Sequence, residues 1–173
     1  MAELIERDKV AARHFHSTKR FIDDLCALND GGLFERVYRD IYPEELELKK
    51  EHSGHHGTFL NLDITIRDKR FVYKLFDKRD AFPFSIVRMP FMNSNIPESI
   101  FYSALIGEFL RIARSTLMHE DFLEKAINLC KRMSIQGASS KNTKGSLKKI
   151  INRHPNDFSQ FNVTPQALVE MIT

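Results

Sequence analysis

Cysteine is scarce in this chain and a long apolar run is missing altogether, and each absence closes off a class of protein. The two cysteines, Cys26 and Cys130, lie inside apolar stretches and fit no metal-ligand spacing. They imply no disulfide framework, and buried free thiols in a reducing compartment are expected. No apolar run approaches the roughly 20 residues needed to span a bilayer. Met1 to Val10 mixes acids and bases where a signal peptide would need an apolar core. An intracellular protein without a membrane partner is therefore expected. Gly31-Gly32 lacks the lysine that would follow in a phosphate-binding loop, and no order of serine, histidine and acid suggests a hydrolase. His52, His55 and His56 lack the further ligands of a tight zinc site and read as a polar loop. No internal repeat or low-complexity segment breaks the chain.

What remains is an ordinary globular composition. With 173 residues, 42% of them apolar, the chain can bury a real core as one domain or a compact pair of subdomains. The net charge of +3 comes from a nearly balanced set, so the placement of charge is more informative than its sum.

Periodicity divides the chain into three stretches. Met1 to Phe15 has the composition of a short helix. From Arg20 to Leu28 the apolar residues fit either a helical stripe or two short buried strands flanking Asp23-Asp24. Leu33, Phe34, Val37 and Ile41 then recur at helical spacing until Pro43. From Glu45 the period becomes two: strands are predicted at Glu45 to Lys49, Phe59 to Ile66 and Phe71 to Phe76, with an exposed loop over Glu51 to Gly57. Asp77 to Pro90 reads as irregular. Beyond it, a helix capped by Ser94 or Asn95 is predicted to bury Ile100, Phe101, Ala104, Leu105, Phe109, Ile112 and Ala113. A second is predicted from about Asp121 to Met133 with Gly137 just past its end, a third over Leu147 to Asn152, and a short last one opened by Thr164-Pro165.

Two features could carry chemistry. The first is Phe21-Ile22-Asp23-Asp24. A phosphoryl transfer held by two divalent ions about 4 Å apart needs carboxylates that converge from rigid elements, and a hairpin tip can present two. The dipeptide by itself is also what a polar turn carries. The second feature is charge of one sign: Lys125, Lys131, Arg132, Lys141, Lys144, Lys148, Lys149 and Arg153 follow one another up to Asn156 with no acid among them. Such a stretch suits either a solvated helix face or a surface that follows a nucleic-acid backbone.

The order Thr18-Lys19-Arg20-Phe21-Ile22-Asp23-Asp24, a helix, then Ile41-Tyr42-Pro43-Glu44-Glu45-Leu46 resembles a reverse transcriptase read from its catalytic aromatic-x-Asp-Asp motif onward. The resemblance continues through Thr58-Phe59-Leu60-Asn61-Leu62-Asp63-Ile64, Leu75-Phe76-Asp77-Lys78-Arg79-Asp80-Ala81-Phe82-Pro83-Phe84 and Ser94-Asn95-Ile96-Pro97, and covers Thr18 to His154. It is similar to the enzymes of eukaryotic retroelements, Penelope-like or related. The resemblance implies an α+β fold. Residues 1–92 would be a truncated palm made of the hairpin, a helix and an antiparallel three-stranded meander, and residues 93–173 an α-helical thumb.

By the same resemblance Asp23 and Asp24 are the catalytic acids that bind Mg²⁺, and the partners are a primer–template duplex and deoxynucleotides. Lys78 and Arg79 would lie near the primer end, unless Asp77-Lys78-Arg79-Asp80 is only a balanced charged turn. Lys141, Lys144, Lys148, Lys149 and Arg153 would contact the duplex from the thumb. Phe21 stands where the family most often has tyrosine, and Asn61 where it often has aspartate. Before Asp23 the only acids are Glu3, Glu6 and Asp8, in a stretch that does not resemble the family's first catalytic motif. A fragment unable to polymerise alone is therefore expected. The alternative is a non-catalytic, basic nucleic-acid-binding or interaction module derived from a retroelement.

Overall fold

The computed structural model describes residue 13 and residues 15–84, 86–162 and 164–173. Nearly all of the helix expected over Met1 to Phe15 lies outside them. Among the described residues lie five strands and six α-helices: β1 (Thr18–Phe21), β2 (Asp24–Ala27), α1 (Leu33–Ile41), β3 (His56–Phe59), β4 (Leu62–Arg67), β5 (Arg70–Leu75), α2 (Glu98–Arg114), α3 (His119–Ile135), α4 (Ser140–Arg153), α5 (Pro155–Phe158) and α6 (Pro165–Ile172). The architecture is α+β, with a two-stranded sheet β1-β2 and a three-stranded antiparallel sheet in the order β3-β4-β5. By density of contacts the chain divides into residues 1–60 and 61–173, so β4 and β5 group with the helices.

In residues 1–60 the ambiguous segment is a hairpin. β1 and β2 pair antiparallel from Thr18↔Ala27 to Phe21↔Asp24. Asp30 starts α1: its carboxylate accepts from the backbone N–H groups of Gly32 (3.2 Å) and Phe34 (2.9 Å), while Gly31 and Gly32 take the positive φ that lets the chain turn there. The helix ends at Tyr42, as Pro43 requires. It buries no residue fully. Phe34 instead packs edge-on against Phe15 (6.4 Å between ring centroids) and Tyr42 (6.5 Å), and stacks on Tyr38 (6.3 Å).

The meander begins later than its alternation suggests. Residues 46–53 form no strand, and β3 starts at His56, inside the segment expected to be a loop. Leu60, at φ 56°, then turns the chain, so the run from Phe59 to Ile66 is broken and not one strand. β4 and β5 meet from Leu62↔Leu75 to Arg67↔Arg70. Asp68 and Lys69 both take positive φ between them, the backbone of a two-residue hairpin turn. The edge of β5 is capped by the α2–α3 connection: Leu117 N–H donates to the Tyr73 carbonyl (2.9 Å) and the Leu75 N–H to Thr116 Oγ1 (3.4 Å).

The core of residues 61–173 is built by α2, α3, α4, α5 and α6. Phe109 stacks on Phe158 (5.2 Å) and meets Phe122 (5.6 Å), which stacks on Phe161 (4.1 Å). Around these rings close Leu105, Met133, Leu147 and Leu168, all fully buried. Three details differ from the prediction. Ile100 is half-exposed, Ala104 is only partly buried, and Pro97, not Ser94 or Asn95, is the cap residue of α2. Gly137, at φ 96°, ends α3 as expected. Its N–H donates to the Ser134 carbonyl and that of Ala138 to the Met133 carbonyl, the paired bonds of a Schellman motif. α4 starts at Ser140, seven residues before its predicted start, and Thr143 joins Leu147, Ile150 and Ile151 on its buried face. Thr164 Oγ1 accepts from the Ala167 N–H (3.2 Å) to cap α6.

Candidate catalytic hairpin and nucleic-acid interface

The hairpin tip is a two-residue turn, Ile22-Asp23, because Phe21 and Asp24 are still paired. Ile22 has φ 54°, where glycine is usual and a β-branched side chain costs about 1–3 kcal/mol. Arg20 offsets part of that strain. Its Nε donates to the Ile22 carbonyl (3.0 Å), while its guanidinium lies 5.6 Å from the ring centroid of Tyr42, tying the turn to the end of α1. Asp23, in the turn, and Asp24, the first residue of β2, are both exposed at the tip. Neither has an ion pair or a side-chain hydrogen bond among the described residues.

Adjacent carboxylates without a cation are hard oxygen ligands of the kind Mg²⁺ takes. No group of three or more His, Cys, Asp or Glu residues among the described residues converges as a metal site. In residues 1–60, His52 Nε2 lies 3.1 Å from Thr58 Oγ1, and the His52 and His56 rings are 6.4 Å apart. The Asn61 carbonyl accepts from Phe76 N–H (2.8 Å) at the base of the β4-β5 ladder.

The five basic residues of α4 are exposed, and the helix contains no acid. Thr143, Leu147, Ile150 and Ile151 occupy its inward face. At 100° per residue, Lys144, Lys148, Lys141, Lys149 and Arg153 fan across the opposite half of the cylinder, about 18 Å along the axis. None forms an ion pair among the described residues. Lys141/Lys144, Lys144/Lys148 and Lys149/Arg153 are like charges at helical contact spacing, each destabilising by about 0.2–0.5 kcal/mol. An anion placed beside this face would relieve that repulsion.

Lys78 and Arg79 part company. Lys78 is exposed. Arg79 is largely covered and grips Asp77, its Nε lying 2.8 Å from Oδ1 and 3.0 Å from Oδ2 with a further contact from Nη2. Arg132 of α3 adds a bond to Asp77 Oδ2 (3.3 Å). These cations hold the Asp77 carboxyl far below the usual carboxylate range. Arg79 thus serves first to anchor the segment after β5. Glu108, buried in α2, is held in the same way: Arg111 Nε donates to Oε2 (3.0 Å) and Nη2 to Oε1 (2.6 Å), with Arg88 Nη1 3.6 Å away.

The pairing of Arg132 with Asp77 and the burial of Glu108 were not expected from the sequence. The Glu108-x-x-Arg111 spacing was the one local signal. Burial raises both thiols, that of Cys130 to about 11, so neither is a reactive thiolate at neutral pH. No helix among the described residues is long and apolar enough to cross a membrane. Against known proteins, no family model, no curated protein and no solved structure matches the chain.

Proposed function

We propose that this chain is the palm-and-thumb part of an RNA-directed DNA polymerase. In this reading Asp23 and Asp24 are two of the carboxylates that hold catalytic Mg²⁺, and α4 lies along the phosphate backbone of a primer–template duplex. The observation that carries it is the hairpin. Asp23 in the Ile22-Asp23 turn and Asp24 at the start of β2 carry no ion pair among the described residues, at a hairpin tip held by Arg20 and flanked by the exposed Phe21. Mg²⁺ bound there would stabilise the charge that develops on a transferring phosphoryl group. Two ligands are an incomplete set, so no catalytic step is assigned to this chain by itself.

The test is primer extension on an RNA template with deoxynucleotides and Mg²⁺. It compares the chain alone with the chain joined to a polymerase segment that supplies a further catalytic aspartate and a nucleotide site. Extension is expected only from the joined protein, and is expected to vanish in Asp23→Asn and in Asp24→Asn. Extension that survives both substitutions rules out the metal assignment.

The basic face of α4 favours a second reading, a non-catalytic module that binds nucleic-acid backbones. Under it, duplex binding persists without Mg²⁺ and weakens in Lys148→Glu/Lys149→Glu. Unchanged affinity in that variant counts against any role for α4 in binding.

A further inference from the structure

A cleft within residues 61–173 combines an apolar seat with one unused carboxamide. Its floor is buried: Leu75 of β5, Ile112 of α2 and Leu129 of α3. One wall is the strap 86–91, which is tied down along its length. Arg88 reaches Glu108 (3.6 Å), Gln136 Nε2 donates to the Met89 carbonyl (2.9 Å), and the Gln136 backbone carbonyl accepts from the Met92 N–H (2.9 Å). A wall held in place before binding keeps the ordering cost low. The enclosed space is about 100 Å³ and opens outward past the exposed Val87, Phe91 and Ile135, enough to seat one ring.

The ionic groups along the cleft are already engaged. Arg79 and Arg132 hold Asp77, Arg88 and Arg111 hold Glu108, and Lys125 has a partner too. A charged head would lose its hydration here without meeting an open counter-charge, so the lining favours an uncharged ligand. Asn128 of α3 is the exception among the polar groups. It is partly buried, lines the cleft, and its side chain makes no hydrogen bond among the described residues. Its Nδ2 is a donor and its Oδ1 an acceptor. The group that satisfies both at once is a second carboxamide, through two parallel N–H···O bonds. A ligand that covers Asn128 but offers only an acceptor leaves Oδ1 unsatisfied, at a cost of about 1–3 kcal/mol.

We propose that this cleft binds an uncharged aromatic ring bearing a carboxamide. The ring lies on Leu75, Ile112 and Leu129; the carboxamide N–H donates to Asn128 Oδ1, and its carbonyl accepts from Asn128 Nδ2. The proposal goes beyond the polymerase reading and does not depend on it.

The test uses the full chain and three probes of nearly equal shape: benzamide, acetophenone, which lacks the N–H donor, and benzoate, which lacks it and is charged. Binding is followed by ¹³C-methyl NMR. Benzamide is expected to shift the methyls of Leu75, Ile112 and Leu129 and to bind at least about tenfold more tightly than either of the other two. In Asn128→Leu, which removes both hydrogen-bonding atoms at similar volume, benzamide and acetophenone are expected to bind equally. The methyl resonances of Leu105, Leu147 and Leu168 report that the core of this variant is intact, and the three-probe comparison in the parent chain decides the matter even where it is not. Equal affinity for benzamide and acetophenone in the parent chain, tighter binding of benzoate, shifts centred elsewhere, or a benzamide preference that survives Asn128→Leu would each overturn the proposal.

Discussion

In residues 61–173, eighteen buried apolar side chains from β5, five helices and the turn after α5 close on one core, whereas among the described residues of 1–60 Phe15 alone is buried. The first stretch is organised by local devices: the Asp30 cap, the Arg20 bond to the Ile22 carbonyl, and rings that meet at their edges. The second is organised by packing. The difference separates roles as well as energies. The carboxylates proposed for chemistry stand at the tip of a hairpin with a strained turn, and the cations proposed for binding stand on a helix whose other face is locked in a core. Burial of apolar area dominates stability, so the helical unit should set the melting behaviour.

The largest expected effect lies there. Phe122→Ala removes the ring that stacks on Phe161 and meets Phe109 and Phe158, and should cost about 3–5 kcal/mol, read as a lowered denaturation midpoint in urea. A loss under about 1 kcal/mol would break the comparison, because the core would not be what holds this unit.

Next comes the α4 face. Five phosphate contacts at about −0.9 each give a log–log salt slope near −4.5 for a DNA duplex. Replacing Lys141, Lys144, Lys148, Lys149 and Arg153 by Gln should flatten that slope by about the same amount while leaving the fold intact. Fluorescence anisotropy against salt concentration checks it.

Asp77→Asn is expected to cost about 1–3 kcal/mol by loosening the bonds to Arg79 and Arg132. The sign of the pH dependence follows from the depressed carboxyl. Its contribution is complete above the unfolded pKa of about 3.9 and drains away as pH falls below that value toward the folded one. Acid titration of the denaturation midpoint should therefore show a fall below about pH 4 in the parent chain that is shallower in Asp77→Asn.

The smallest effect belongs to the first region. Phe34→Ala should cost about 1 kcal/mol, confined to amide exchange within residues 15–42, with the urea midpoint of the helical unit unchanged. A shift of that midpoint would mean the two stretches are energetically one.

The elements that sequence revealed are those with local punctuation: Pro43 stopping α1, Gly137 ending α3, Thr164-Pro165 opening α6. β3 was hidden because His56-Gly57-Thr58-Phe59 has weak strand propensity, while Leu46 and Leu48 alternate convincingly in a segment that forms no strand. The first turns of α4 were hidden for a related reason. Ser140 to Gly145 offers poor helix formers and no apolar stripe, and its inward residue is a threonine. Of the candidate site, the acid pair and the basic run were legible as neighbours in sequence. The clamp of Arg79 and Arg132 on Asp77 was not, since Asp77 and Arg132 are far apart in the chain and meet only once α3 has packed.

The proposal that Asp23 and Asp24 are metal ligands is tested most directly by adding Mn²⁺, a paramagnetic substitute for Mg²⁺, to the ¹⁵N-labelled chain bound to a primer–template duplex. The account predicts selective broadening of the amides of residues 21–25, reversed by excess Mg²⁺ and absent in Asp23→Asn/Asp24→Asn. Broadening that ignores these substitutions, or that centres on other acidic residues, would contradict it.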